Sequence, residues 1–349
     1  MLSHRLPLTL AASLCLACSP SNRHAPRVPA ATEAAQEPSE AEGTHLELRT
    51  SSLVELYFHI RAEAADLQAE PAAGHATAVD AARAIQRSLG SFGGWGPLDT
   101  QVFVAADARE LRQGFAELPE PYVRRGREFS IRDDAVRLAG AIEELVPEFE
   151  RVDWPSRKVE LDDRIAYVDV HFMPEHRKAL AFMMESLGIR NPEVTVPMFL
   201  VGATNPPGAM TYHLRGGAPV SVLDVNVGGA GDLLLETLLH ESSHALDQAS
   251  RDDGSAFDTL RRLLEERGVS RDDDAYHTVP HTLMFVQAEE TMRRLYDPEH
   301  LAYGDATDLY ARSGAAAVVE REIWPRFLDG ELTRDEALLR IVDRLEPPD

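Results

Sequence analysis

Two histidines four residues apart, with a glutamate directly after the first, occur in the 349-residue chain as His240-Glu241-Ser242-Ser243-His244. On a helix this spacing puts both imidazoles on one face, one turn apart, with the carboxylate beside them. That is the arrangement in which two ring nitrogens hold Zn²⁺ and a carboxylate works on a water molecule. His240 and His244 are therefore candidate metal ligands and Glu241 a candidate general base. The flanks agree with this reading. Thr237, Leu238, Ser242, Ser243 and Ala245 are uncharged and Leu246 is apolar, so no stray charge stands next to the metal position.

The segment carries its own helix signals. Asp232 follows Gly228-Gly229-Ala230-Gly231 as an N-cap candidate, Glu236 lies in the first turn, and Leu233 to Leu239 is almost wholly apolar. A helix of that composition is buried. Histidines and a glutamate within it need partners, because an unpaired polar group is costly away from water.

A catalytic zinc takes a third protein ligand and keeps one position open. Asp247 and Ser250 stand where the metzincin pattern has its glycine and third histidine, so the third ligand must come from further along. The downstream candidates are His277, His281, Glu289 and Glu290. A helical stretch is expected from Pro280 to Leu295, and an acid in the middle of that apolar run calls for a role, which points to Glu289 or Glu290. Asp247, three residues after His244, could orient a ligand imidazole; an exposed Asp at the helix end is the equal alternative.

These two segments together resemble a group of uncharacterised bacterial proteins of the gluzincin-like metallopeptidase type. That group pairs a His-Glu-x-x-His helix with a later helix reading His-Ala-x-x-Phe-Tyr-x-x-Gly-Glu-x-x-Arg-Arg. His281, Phe285, Glu290, Arg293 and Arg294 match the second motif, while Val286 replaces its Tyr and Glu289 its Gly. Tyr310, Gly314, Trp324 and the run Phe327 to Leu338 are similar as well, so the resemblance covers about residues 194 to 345. It implies a zincin-like core with Zn²⁺ held by His240, His244 and Glu290, acting on a peptide or protein substrate. It also implies that His281 is a catalytic pocket residue able to hydrogen-bond a tetrahedral oxyanion, with Tyr303 or Tyr310 as competitors for that role.

The elements that must position these residues are legible in outline. Ser52-Leu53-Val54-Glu55 reads as a capping box, and helices are expected from Ser52 and at Thr77–Leu89, Ala106–Leu118, Asp133–Phe149 and Pro174–Leu187. After Asn191 the texture changes. Val194–Val201, Met210–Leu214 and Val220–Val227 read as strands separated by Asn205-Pro206-Pro207-Gly208 and Gly216-Gly217. Pro219 to Val227 is a candidate edge strand that could accept an extended substrate, with a core strand as the alternative. The expected fold class is α+β, mostly helical. A zincin-like catalytic core has a small sheet before the His240 helix and a helical C-terminal lobe, spanning 191–349, and 45–190 forms a helical N-terminal subdomain.

The first 18 residues read as a signal peptide: Arg5, then apolar Leu6 to Leu16, then Ala17-Cys18 in a lipobox-like ending. Residues 19–44 are an Ala-, Pro- and Glu-rich tether too poor in apolar residues to fold. Both cysteines, Cys15 and Cys18, lie in the leader, so no internal disulfide is expected. The reading is a bacterial cell-envelope protein held at the membrane through lipid on Cys18. A net charge of −23 argues against nucleic acid as partner. The rival reading is a non-catalytic envelope lipoprotein whose zincin-like scaffold binds metal or a protein partner.

Overall fold

The computed structural model describes residues 44–90, 94–124, 127–190, 194–205, 207–214, 218–226, 231–249 and 254–345. The leader, Cys18 and all of the tether but Thr44 lie outside the described residues. Their order is β1 (His45–Arg49), α1 (Ser52–Ala65), α2 (Ala76–Leu89), α3 (Gly96–Val104), α4 (Ala108–Ala116), β2 (Tyr122–Arg124), β3 (Arg127–Phe129), α5 (Arg132–Val152), α6 (Trp154–His171) and α7 (His176–Leu187). There follow β4 (Thr195–Val201), β5 (Ala209–His213), β6 (Pro219–Asp224), α8 (Asp232–Ala249), α9 (Ala256–Glu266), α10 (Asp274–Leu295), α11 (Tyr303–Ala306), α12 (Leu309–Ser313), α13 (Ala315–Leu328) and α14 (Arg334–Arg344). The fold is mostly helical α+β, as its sequence pattern implies.

A four-stranded sheet in the order β1-β4-β6-β5 divides the molecule. β1, β4 and β6 run parallel and β5 is antiparallel to β6. Strand alternation sends successive side chains to opposite faces. Val196, Met198, Leu200 and Leu223 join a core with α6 to α10, α13 and α14, while Phe199, Val201, Val220 and Val222 join a second core with α1 to α5. Helices therefore cover both faces of the sheet. The boundary expected near residue 190 is not where the packing divides: α6 and α7 pack with the C-terminal core, and Leu46 of β1 goes with them.

Two sequence expectations change. Ser51, not Ser52, caps α1, accepting from Val54 N, and Ser52 Oγ donates to Glu150 instead. Glu55 then turns inward and accepts from Gly202 N at 2.7 Å. The candidate edge strand is an inner one: β6 lies between β4 and β5 and is buried along its length. The edge beside α8 is β5.

A buried ionic network ties β5 to the N-terminal helices. Asp99 of α3 accepts from Tyr57 at 2.8 Å, Arg61 at 2.6 Å and Tyr212 at 2.8 Å. Arg61 also reaches Asn205 O at 3.1 Å. Tyr212 is the residue in β5 after Thr211, so this anchor fixes the strand segment facing α8.

Candidate metal centre

α8 leaves β6 and packs back across β5 and β6, and α10 packs on α8. Leu234, Leu235, Leu238, Leu239, Ala245 and Leu246 supply its apolar surface. Burying those residues orients His240 and His244 the same way, towards α10. His281 comes from α10 to meet them. Ligand atoms of the three histidines lie within 4.8 Å of one another. Ring centroids are 4.8 Å apart for His240 and His244, and 5.1 Å from His281 to either of them.

The rings are held in place by aromatic neighbours. Phe285, one turn after His281, stacks on His240 at 3.6 Å, and Tyr303 stacks on Phe285 at 5.8 Å. Burial holds His240 and His244 well below the usual imidazole range and lowers His281 to about 4. All three are neutral at physiological pH, which is the form that binds a metal. His240 is buried and the other two are partly accessible, so the cluster opens to one side.

These residues fit a zinc ion. Three neutral imidazole nitrogens are a donor set suited to it, and one buried ring nitrogen, His240 Nδ1, has no hydrogen-bond partner among the described residues.

Glu241 lies beside the trio. Its Oε1 is 3.8 Å from His240 Nε2 and its Oε2 is 2.6 Å from Thr211 Oγ1 of β5. Thr211 Oγ1 is also 2.8 Å from Ser221 Oγ across the β5–β6 pair. Burial raises the Glu241 carboxyl to about 7, against the opposing pull of the Thr211 hydrogen bond. A carboxyl poised near neutrality can both take and give a proton.

The expected third ligand, Glu290, is not among the residues whose ligand atoms converge with those of His240 and His244. Glu290 is nine positions beyond His281, about 13 Å further along α10 at 1.5 Å per residue. It is engaged with Arg294 at 3.0 Å and Arg293 at 3.9 Å. Glu289 pairs with Arg293, with Arg321 at 2.9 Å and with the Tyr310 hydroxyl at 2.7 Å. Both acids are thus buried because arginines neutralise them. His281, expected as a pocket residue, stands with the candidate ligands His240 and His244 instead. Of its competitors for the oxyanion role, Tyr310 is committed to Glu289, whereas Tyr303 lines the site through Phe285.

Asp247 is partly buried, and its carboxylate pairs with Arg261 of α9 rather than standing exposed at the helix end. Its Oδ2 accepts from Arg261 at 2.8 Å. α10 starts at Asp274, with Pro280 inside it rather than at its beginning. Thr211 was not identifiable as a site residue from sequence, because only the pairing of β5 with β6 puts it under α8. His281 carried a usable signal, a histidine at the head of an apolar run, but its distance from His240 is a tertiary property. No family model, curated protein or solved structure matches the chain.

Proposed function

We propose that the protein is a zincin-like zinc metallohydrolase, most directly a peptidase, with His240, His244 and His281 as the metal ligands and Glu241 as general base and acid. The observation that supports this most is the convergence of three neutral imidazoles within 4.8 Å with a carboxylate 3.8 Å from one of them. When bound, zinc makes a water more acidic and polarises a carbonyl. Three neutral ligands leave more positive charge at the metal than two histidines and a glutamate, which strengthens both effects.

Glu241 is oriented through Oε2 by Thr211, and its Oε1 faces the histidines. It takes the proton of the attacking water and passes it to the leaving amine. Tyr303 closes one wall by its stack on Phe285. β5 pairs with β6 and is an edge strand of the sheet, and its Thr211 touches Glu241. An extended peptide added there by backbone hydrogen bonds would bring an amide to Glu241.

The proposal includes export and anchoring through Cys18. Among the described residues no helix is long and apolar enough to cross a membrane; the anchoring rests on the lipobox-like ending at Cys18. The test is zinc content and hydrolysis of a peptide library by wild type and His281→Ala. One equivalent of zinc and cleavage, both lost in the variant, support the proposal. A wild type that holds zinc but cuts no peptide favours a role limited to binding metal or a partner.

A further inference from the structure

A second group of metal-type ligands lies on the other side of the sheet, among the N-terminal helices. His59 and Glu63 are one turn apart on α1, and His75 immediately precedes α2. Both imidazoles face the same carboxylate: His59 Nε2 is 3.3 Å from Glu63 Oε1 and His75 Nδ1 is 3.0 Å from Glu63 Oε2. The two rings meet edge to face at 5.7 Å. One ligand atom from each of the three residues lies within 4.8 Å of the other two.

We infer that His59, Glu63 and His75 form a second metal site, for a divalent cation of the zinc class. Two imidazoles and one carboxylate are a donor set for that class, and three ligands leave a coordination position for water. The side chains are 26%, 20% and 13% exposed respectively, which suits a site filled from solvent and buried enough to retain its ion. Nearby Arg157 does not bar a cation, because it pairs with Glu160 at 3.6 Å and Glu55 at 4.0 Å.

The position gives the ion a role. His75 ends the connection from α1, which Arg83 already holds by donating to Asp66 O at 2.6 Å and Ala69 O at 2.8 Å. A metal bridging α1 to His75 closes that connection at its far end, and its binding free energy adds to the stability of the fold. α1 also carries Tyr57 and Arg61 of the Asp99 network, so the site braces the helix that anchors β5.

The inference uses none of the residues of the proposed hydrolytic centre, so the two can fail separately. The full chain is stripped with a chelator, reloaded with zinc, dialysed and assayed for bound metal, with thermal melting in the absence of metal as a fold control. Wild type should hold a second equivalent of zinc. A His240→Ala/His244→Ala variant should keep one equivalent, and zinc should raise its melting temperature. Adding His75→Gln should remove both the metal and the shift, and His59→Gln should do the same by an independent substitution. If the His240→Ala/His244→Ala variant holds no zinc and its melting does not respond to it, the second site is overturned while the hydrolytic centre stands. If wild type holds one equivalent that His75→Gln removes and the double variant retains, the second site stands and the hydrolytic reading falls.

Discussion

Thr211 Oγ1 lies 2.6 Å from Glu241 Oε2, so a strand residue sets the orientation of the helix carboxylate next to the three histidines. A hydrogen bond to a charged group contributes about 1.5–3 kcal/mol, which is roughly a 10- to 150-fold effect if expressed in the transition state. Thr211→Val keeps the side-chain shape and removes the donor. It should bind zinc like wild type and lose kcat/KM within that range. Unchanged kcat/KM would show that the contact does not orient the base.

The ligand assignment separates residues on one helix. His281→Ala should abolish one equivalent of tight zinc binding, whereas Glu290→Ala should leave it nearly unchanged, because Glu290 faces Arg293 and Arg294. Glu289→Ala should also keep the metal but destabilise the fold by about 3–5 kcal/mol, the usual cost of stripping one member from a buried ionic cluster. Chelator competition and denaturant midpoints distinguish these outcomes. A zinc site lost in Glu290→Ala but kept in His281→Ala would reverse the assignment.

How much of this was legible follows from how local each signal is. The α8 motif, its flanks and its burial are contained in about 18 consecutive residues, and the strands β4 to β6 carry β-rich runs bounded by turns. His281 and the two glutamates share one helix and all are short of solvent, so the sequence presents three candidates with the same credentials. Only the docking of α10 on α8 decides which one reaches the histidines. β1 was not read as a strand because His45–Arg49 is short and carries charge, and its stability comes from pairing with β4. The same non-locality hid the edge: β5 and β6 read alike until β4 pairs with one of them.

Glu320 offers a pH test away from the centre. Neither of its carboxyl oxygens has a partner among the described residues, and burial holds its pKa well above 4.5. The folded protein therefore keeps this proton to higher pH than the unfolded chain does. Its linkage makes stability highest below the unfolded carboxyl range, near 4.5, and falling as pH rises above it. Glu320→Gln should remove that decline and be more stable than wild type at pH 7 to 8. Parallel stability-against-pH curves for the two proteins would contradict this.

The Asp99 network should matter for stability first. Tyr212→Phe removes one bond to a buried carboxylate and should cost about 1.5–3 kcal/mol in urea unfolding. Asp99→Ala, which leaves Arg61 buried without its ion-pair partner, should cost about 3–5 kcal/mol. Equal costs for the two, or none, would mean that the network does not act as a charge-centred anchor.

The most direct measurement is turnover of Glu241→Gln on a preparation whose zinc content and melting are determined together, with a peptide that wild type cleaves. His240, His244 and His281 remain in this variant, so zinc and fold should match wild type. Turnover should fall by about 100- to 10,000-fold, the contribution of a positioned general base. Zinc-loaded, folded Glu241→Gln that cleaves the peptide at the wild-type rate would contradict the assignment of Glu241 and with it the proposed hydrolytic chemistry.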